Sequence, residues 1–211
     1  MLVVKVENLH GIGKIYSDLL LKYGSPEKFW PQWCKKRKTL RDREIIAIGA
    51  ILTQRTSWHN AELALLNLKK AGLLSIKKIA ALDSPEELAP LIGVAGFYQS
   101  KPKRLFGFCR FVAKVGGLAK LKREELLKLS GIGPETADTI LLYAVDQPTF
   151  VIDEYTKRLV KERCLAKKLD YSYLKALFEK NLPSDPKIYQ DFHALIIFDQ
   201  KNGKNVEMQL V

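Results

Sequence analysis

Apolar residues recur every three or four positions along most of this 211-residue chain, which is the spacing of amphipathic helices. Alternation of the kind expected for a β-strand is confined to a weak pattern at residues 3–6. The helical pattern predicts helices over these ranges: 44–53, 60–70, 103–115, 122–129, 134–144, 153–164, 171–180 and 187–200. The sequence therefore predicts an all-α fold.

The chain is strongly basic, with 35 lysine and arginine residues against 23 acids and a formal net charge of +12. Such an excess is typical of proteins that bind a polyanion such as nucleic acid, and it also occurs on ordinary solubilising surfaces. A basic run at residues 35–38 is followed by Arg41 and Arg43. Both a solvated loop and a phosphate contact fit this run, so charge alone leaves nucleic-acid binding open.

Signals for a membrane or for export are missing from the sequence. No run of about 18 apolar residues is present, and residues 1–7 lack the pattern of a secretory signal. The three cysteines, Cys34, Cys109 and Cys164, lie far apart, which favours neither a disulfide framework nor a four-ligand zinc site. We therefore expect a reduced, cytoplasmic protein.

The segment 126–138, LLKLSGIGPETAD, is the most informative part of the sequence. An amphipathic helix runs into Gly131-Ile132-Gly133, and Pro134 suits the first position of a second helix. Glycines permit a tight turn with positive φ and a close approach to another backbone, while the apolar Ile132 can anchor the turn in the core. Free N–H groups at the start of the second helix favour a phosphate. The segment predicts a helix-hairpin-helix that holds the DNA backbone without reading its sequence.

A candidate catalytic carboxylate follows this hairpin. Twenty residues after Gly133, the apolar pair Val151-Ile152 leads into Asp153, which opens a predicted helix. An Asp in this place is by itself an ordinary N-cap. Together with the hairpin at this spacing, however, the sequence resembles the helix-hairpin-helix, Gly-Pro-Asp-loop (HhH-GPD) DNA glycosylases of the endonuclease III superfamily, over about residues 44–201. That resemblance implies that Asp153 is the catalytic carboxylate.

The resemblance also implies a helical protein of two lobes with a cleft between them, at which the hairpin and Asp153 would lie. We expect one lobe to comprise about residues 1–40 and 150–211, and the other about residues 41–149, including the hairpin at 126–144. The hairpin would contact the DNA backbone through these residues: Gly131, Ile132, Gly133, Glu135 and Thr136. The expected partner is double-stranded DNA that contains a damaged base, bound by a monomer associated with the nucleoid.

The implied reaction is hydrolysis of an N-glycosidic bond. The sugar develops oxocarbenium-like positive charge as the bond breaks, and a fixed carboxylate stabilises that charge and orients the attacking water once the base has left the stack. Bifunctional members of the family carry a lysine where this chain has Glu135, and that lysine forms a Schiff base with the sugar. Glu135 cannot do so, which favours a monofunctional glycosylase. Lyase activity from another of the many lysines stays open.

Many members of the family hold a [4Fe–4S] cluster on four closely spaced cysteines near the end of the chain. No cysteine follows Cys164 in this sequence. Because such a cluster needs four thiolates, we expect no iron–sulfur cluster, and the sequence indicates no other metal site. Whether the hairpin carbonyls hold a monovalent cation is left open.

Among members without a cluster, the chain most resembles bacterial 3-methyladenine DNA glycosylases of the endonuclease III type, in residues 29–32, 49–56 and 192–201. That likeness places these residues at the pocket for the flipped base: Trp30, Pro31, Trp58 and Lys201. Aromatic faces favour a positively charged base, such as an N3- or N7-alkylated purine, although tryptophans are also common core residues. The third tryptophan, Trp33, is interpreted as a core residue.

Further contacts follow from the same resemblance. Gln54 would act as a wedge that fills the gap left by the flipped nucleotide and bonds to the partner base. Lys101 and Arg104 follow a glycine–aromatic loop at residues 96–100 and are expected phosphate contacts. His193 is interpreted as a structural histidine in the core.

The sequence thus predicts a monofunctional DNA glycosylase of base-excision repair that releases alkylated purines of the 3-methyladenine and 7-methylguanine class from duplex DNA. A glycosylase for an oxidised or mismatched base is an alternative, because neutral lesions need placed hydrogen-bonding groups more than stacking faces. A helix-hairpin-helix module that only binds DNA is the alternative from another class. Asp153 distinguishes a glycosylase from a binding module, since a module that only binds DNA does not need the carboxylate.

Overall fold

A computed structural model describes residues 11–207 of the chain, with side chains described for 11–202. Over this range all regular structure is helical, which confirms the predicted all-α fold. The weak strand pattern at residues 3–6 lies outside the described residues. None of the helices in this range is long and apolar enough to cross a membrane.

The α-helices follow one another through short turns. In chain order they are α1 (Ile12–Tyr23), α2 (Pro31–Cys34), α3 (Leu40–Leu52), α4 (Trp58–Lys70), α5 (Ile76–Ala80), α6 (Ala89–Ile92), α7 (Ser100–Val115), α8 (Arg123–Leu126), α9 (Pro134–Thr139), α10 (Glu154–Glu162), α11 (Tyr171–Lys180) and α12 (Pro186–Glu207). Short 3-10 turns lie at Pro26–Lys28, Pro85–Leu88, Gly93–Ala95 and Leu118–Lys120, and a π-helical segment at Ile140–Ala144 continues α9.

Local capping chemistry explains where several helices begin. The Thr39 side chain caps α3 and forms a reciprocal capping box with Asp42, so the helix starts four residues before the apolar pattern at residue 44 does. Helix α7 ends at Val115, and Gly116 caps it with a left-handed φ of 88°. Apolar periodicity locates the buried part of a helix, whereas capping residues decide its ends.

The chain divides into two compact units. Unit 1 comprises the stretches up to Lys36 and from Pro148 onward, and unit 2 comprises Arg37–Gln147. In unit 1, aromatic rings from three elements form the core: Phe150 stacks on Phe178 with ring centroids 4.6 Å apart, and Phe192 packs edge-on to Phe150 at 5.8 Å. In unit 2, the core is centred on α3, whose residues from Ile46 to Leu52 are all buried.

Ion pairs join the two ends of unit 2. Lys38 Nζ lies 3.0 Å from one carboxylate oxygen of Asp146, and Arg43 bonds to the other oxygen and to the Ala144 carbonyl. The Lys38 side chain is only 1% exposed. Lys38, the last residue of the basic run, is therefore neither solvated nor available to a phosphate, and Arg43 is paired with the same carboxylate inside unit 2.

Candidate functional site

Asp153 caps the helix that follows the apolar Val151-Ile152 pair. One carboxylate oxygen accepts the Thr156 N–H at 2.7 Å, and the residue is 8% exposed. The cap fixes the side chain on the first turn of α10, because a free N–H of that turn holds one oxygen in place. Asp153 is thus an anchored carboxylate with little exposure to solvent.

His193, from α12, lies beside the other oxygen of this carboxylate. Its Nε2 is 3.4 Å from Asp153 Oδ2, and the residue is 5% exposed. Burial by itself raises the pKa of the Asp153 carboxyl, but the interaction with His193 and the bond from Thr156 outweigh burial and hold the pKa below its ordinary value. Asp153 is therefore an ionised carboxylate at neutral pH, as stabilisation of a cationic sugar requires.

The contact between His193 and Asp153 was not predicted from the sequence. The interpretation of His193 as a buried core residue agrees with its exposure, but forty positions separate it from Asp153 and no local pattern pairs them. The ring also stands perpendicular to Phe150, with centroids 6.5 Å apart. The sequence could indicate only that His193 lies on the buried face of a helix. That position does not identify the residue that the histidine contacts.

The predicted pocket residues of unit 1 lie in two places. Trp30 is half-buried at the start of α2, where its ring is 6.4 Å from that of Trp33, and Pro31 is the exposed first residue of this helix. Trp33 is 8% exposed and belongs to the core. Lys201 is exposed, with its ammonium 5.5 Å from the centre of the Tyr155 ring on the first turn of α10. Lys201 thus lies over the helix that Asp153 caps.

Trp58 belongs to unit 2, where it is the first residue of α4. The Ser57 side chain caps this helix, and the tryptophan is half-buried.

The hairpin has the predicted turn, but only one of its two glycines adopts a positive φ. Gly131 adopts a φ of 77°, whereas Gly133 is extended with a φ of −89°, so only the first needs left-handed freedom. Ile132 between them is 4% exposed. A Cβ on Gly131 would come within 2.3 Å of the Arg104 side chain, so the close approach at this turn is to a side chain, not to the backbone that we expected.

The hairpin helices are shorter than the apolar pattern suggested. Helix α8 ends at Leu126, three residues before the predicted end, and α9 begins at Pro134 and passes into the π-helical segment after Thr139. An ion pair with a buried carboxylate braces the two: the half-buried Arg123 guanidinium donates to both carboxylate oxygens of Asp138, at 2.8 and 3.0 Å.

The Gln54 side chain bonds to three of the predicted contact residues. Its amide nitrogen donates to the Gly131 carbonyl at 2.8 Å and to the Thr136 hydroxyl at 2.9 Å, and its amide oxygen accepts from Arg104 at 3.1 Å. Glu135 is exposed beside them. The proposed wedge is therefore bound to the hairpin in the protein alone, and these bonds must exchange before Gln54 can enter a duplex.

The prediction that Lys101 contacts a phosphate is wrong. The residue is 0% exposed, and its ammonium donates to three backbone carbonyls, so it cannot contact a phosphate. Burial and the charge of Arg104 lower the pKa of Lys101 to about 8, which leaves the group mostly protonated at neutral pH. Arg104 stays partly exposed and keeps its predicted role as a hypothesis.

Two exposed aromatic residues near Gln54 escaped the prediction. Phe97 and Tyr98 are 45% and 68% exposed on the loop before α7, and Phe97 has a left-handed φ of 53°. An aromatic residue in that conformation is strained and marks a candidate contact surface. The sequence analysis identified the glycine–aromatic loop that contains them, but it assigned the expected phosphate contacts to Lys101 and Arg104.

The described residues contain no group of three or more His, Cys, Asp or Glu side chains that could hold a metal ion. Cys34 and Cys109 are buried and Cys164 is exposed.

Comparison with known proteins identifies the family of the chain. A sequence model of the HhH-GPD superfamily of base excision DNA repair proteins matches residues 48–184. A protein of Methanocaldococcus jannaschii, provisionally named a DNA repair glycosylase, is 42% identical over 205 residues, which cover 92% of this chain and 89% of that protein. Endonuclease III of Thermotoga maritima is 30% identical over 141 residues, covering 66% of this chain and 65% of the relative.

Solved structures agree with this placement. A 3-methyladenine DNA glycosylase of H. pylori, crystallised with 1,N6-ethenoadenine, superposes with a TM-score of 0.79 at 27% identity over 92% of this chain and 99% of that chain. An endonuclease III–DNA complex has the same fold, with a TM-score of 0.66 at 18% identity over 90% and 86% of the two chains. The chain therefore belongs to the HhH-GPD superfamily of base-excision repair proteins and is a DNA glycosylase.

Proposed function

We propose that this glycosylase hydrolyses the N-glycosidic bond of alkylated purines in duplex DNA, with Asp153 as the catalytic carboxylate. The observation that carries the proposal is the state of Asp153: anchored on α10, nearly buried and ionised. A carboxylate of this kind can stabilise positive charge on the sugar and orient a water molecule.

The proposed lesion class follows from the chemistry of the leaving group. An N3- or N7-alkylated purine already carries positive charge, so it departs without protonation by the enzyme. Aromatic faces such as those of Trp30 and Trp58 attract a cationic base. The likeness to the H. pylori 3-methyladenine glycosylase supports the same class. In this proposal Pro31 and Lys201 line the pocket beside Trp30.

The proposed mode of action is monofunctional and needs no metal cluster. Glu135 occupies the position at which bifunctional relatives carry a lysine, so water is the proposed nucleophile. The three cysteines of the chain are fewer than the four thiolates of an iron–sulfur cluster. The enzyme acts as a monomer on damaged duplex, with the hairpin residues 131–136 and Arg104 on the backbone.

A single-turnover base-release assay tests this function. Duplexes that contain 3-methyladenine, 7-methylguanine, 8-oxoguanine or an adenine mismatch are incubated with excess enzyme, and the freed bases are identified by mass. We expect release of the two methylated purines at least about tenfold faster than of the neutral bases, a difference of about 1.4 kcal/mol in transition-state binding. Faster release of a neutral base would refute the alkyl-purine class while leaving the glycosylase intact.

Two further outcomes separate the alternatives. Trapping of an enzyme–DNA adduct by borohydride would identify a lyase and contradict the proposed use of water. Duplex binding with no release from any of the four substrates would favour a binding module.

Replacement of Gln54 tests the wedge. We expect Gln54→Ala to slow release from duplex DNA about tenfold, because the gap left by the flipped nucleotide is no longer filled, and to leave release from single-stranded DNA nearly unchanged. The matched control is Gln147→Ala, an exposed glutamine of the same unit. An equal loss on both kinds of DNA would mean that Gln54 acts only by bracing the hairpin.

A further inference from the structure

The side chain of Lys101 is fully buried, and the reaction proposed above makes no use of it. Its ammonium donates to the backbone oxygens of Leu52 at 2.8 Å, Gln54 at 3.0 Å and Ala95 at 2.8 Å. We call these three oxygens the carbonyl cradle. An ammonium has three N–H donors, so the number of donors equals the number of oxygens.

The carbonyl cradle joins two loops that are distant in sequence. Leu52 is the last residue of α3 and Gln54 lies just after it, where helix carbonyls lack partners within the helix and carry partial negative charge. Ala95 ends the 3-10 turn before the loop that bears Phe97. A positive charge at their meeting point therefore satisfies groups that neither loop can satisfy alone.

Both loops are strained beside the atoms that Lys101 holds. Arg55, directly after Gln54, has a φ of 49°, and Phe97, two residues after Ala95, has a φ of 53°. Left-handed backbone at such side chains costs energy and persists only when the surroundings hold it. The Lys101 ammonium supplies such support through its bonds to the Gln54 and Ala95 carbonyls, in addition to the backbone N–H of residue 101, which donates to the Phe97 carbonyl at 2.8 Å.

Lys101 also acts on the exposed ring of this loop. Its ammonium lies 5.8 Å from the centre of the Phe97 ring, within reach of a cation–π interaction. One buried charge thus contacts the backbone of the Gln54 loop, the backbone of the Phe97 loop and the Phe97 ring.

We propose that Lys101 is a positioning residue, an internal cation that fixes the loops of Gln54 and Phe97, and that the carbonyl cradle binds a small primary ammonium ion when the lysine is removed. Three carbonyl oxygens that converge on one ammonium offer the acceptors that such an ion needs. The positioning of loops for DNA rests on the proposed function, whereas occupation of the carbonyl cradle does not.

Chemical rescue tests the carbonyl cradle. Lys101→Ala removes the atoms from Cγ to Nζ, which propylammonium replaces atom for atom. We expect Lys101→Ala to lower Tm by about 5–10 °C, and about 100 mM propylammonium to return about 3–5 °C of that loss. Wild type and the exposed control Lys103→Ala should not respond. Tetramethylammonium, which has the charge but no N–H donor, should rescue nothing.

A second variant keeps the proposal testable if Lys101→Ala does not fold. Lys101→Met preserves most of the side-chain volume and deletes the charge and the donors. We expect its amide hydrogen exchange to rise at least about tenfold in residues 53–57 and 93–98, with little change in the hairpin at 126–139. Unchanged exchange in both loops, or equal rescue of Lys101→Ala by the two ammonium ions, would overturn the inference.

A binding measurement separates this inference from the proposed function. Lys101→Met should weaken binding to an undamaged duplex about tenfold through its displaced loops, whereas the rescue and exchange measurements use no DNA. An enzyme that released no alkylated base would leave those two results standing. An active enzyme whose variant showed neither rescue nor faster exchange would refute the carbonyl cradle alone.

Discussion

Asp153→Asn should reduce single-turnover base release by about a thousandfold while leaving duplex binding within about twofold of wild type. The amide carries no charge, so it cannot stabilise the cationic sugar, although its size and shape match those of the carboxylate. Asparagine is as good an N-cap as aspartate, so α10 should keep its start. The measurement is the release rate of the methylated base with enzyme in excess.

The control for this result separates charge from capping. Asp153→Ala removes both the charge and the cap, so it should lose activity to the same extent and also lose about 1 kcal/mol of unfolding free energy. Asp153→Asn should show the activity loss with a much smaller change in stability. Release by Asp153→Asn within tenfold of wild type would contradict the catalytic role, and a parallel loss of binding would mean that the variant is misfolded.

The lowered pKa of Asp153 fixes the direction in which folding stability changes with pH. A carboxyl with a lowered pKa in the folded protein contributes stability above the pKa of the unfolded chain, about 3.9, and loses it as the pH falls through the lower folded value. Even the ordinary pKa of an aspartate lies about one unit below pH 5. Protonation of Asp153 should therefore not limit base release between about pH 5 and pH 8.

Arg123→Ala should have the largest effect on stability. Asp138 is 0% exposed, and the guanidinium donates to both of its oxygens. Removal of Arg123 leaves a buried carboxylate without this counter-charge, which costs about 3–5 kcal/mol. For a chain of this size the corresponding fall in Tm is on the order of 10 °C, measurable by calorimetry.

The two partners of this pair should not be equivalent. The Arg123 side chain is 31% exposed, so in Asp138→Ala the guanidinium can turn to water and the loss should be about 1–3 kcal/mol. Replacement of both by leucine should recover part of the loss of Arg123→Ala, because no buried charge remains. Lys122→Ala, an exposed neighbour, is the control. A loss below 1 kcal/mol for Arg123→Ala would mean that the pair does not brace the hairpin.

Local features were predictable from the sequence because their causes lie within a few residues. The turn at Gly131, the buried Ile132 and the helix behind Asp153 each follow from backbone freedom, apolarity or capping, which act over one turn of chain. Helix ends were less well predicted. The apolar pattern cannot report the exposed first turn of α3, and it extends past the true end of α8.

The tertiary structure decided which polar side chains are buried and which groups they contact. Lys101 follows an exposed aromatic loop in a basic stretch and looks like a surface lysine, yet carbonyls from residues 52, 54 and 95 converge on it and bury its charge. His193 meets Asp153 across forty residues, and Gln54 meets the hairpin across more than seventy. The sequence by itself predicted the all-α class and most of the longer helices, and it singled out Asp153 as the candidate carboxylate. Which charges are buried and what they bind depends on groups that only folding brings together.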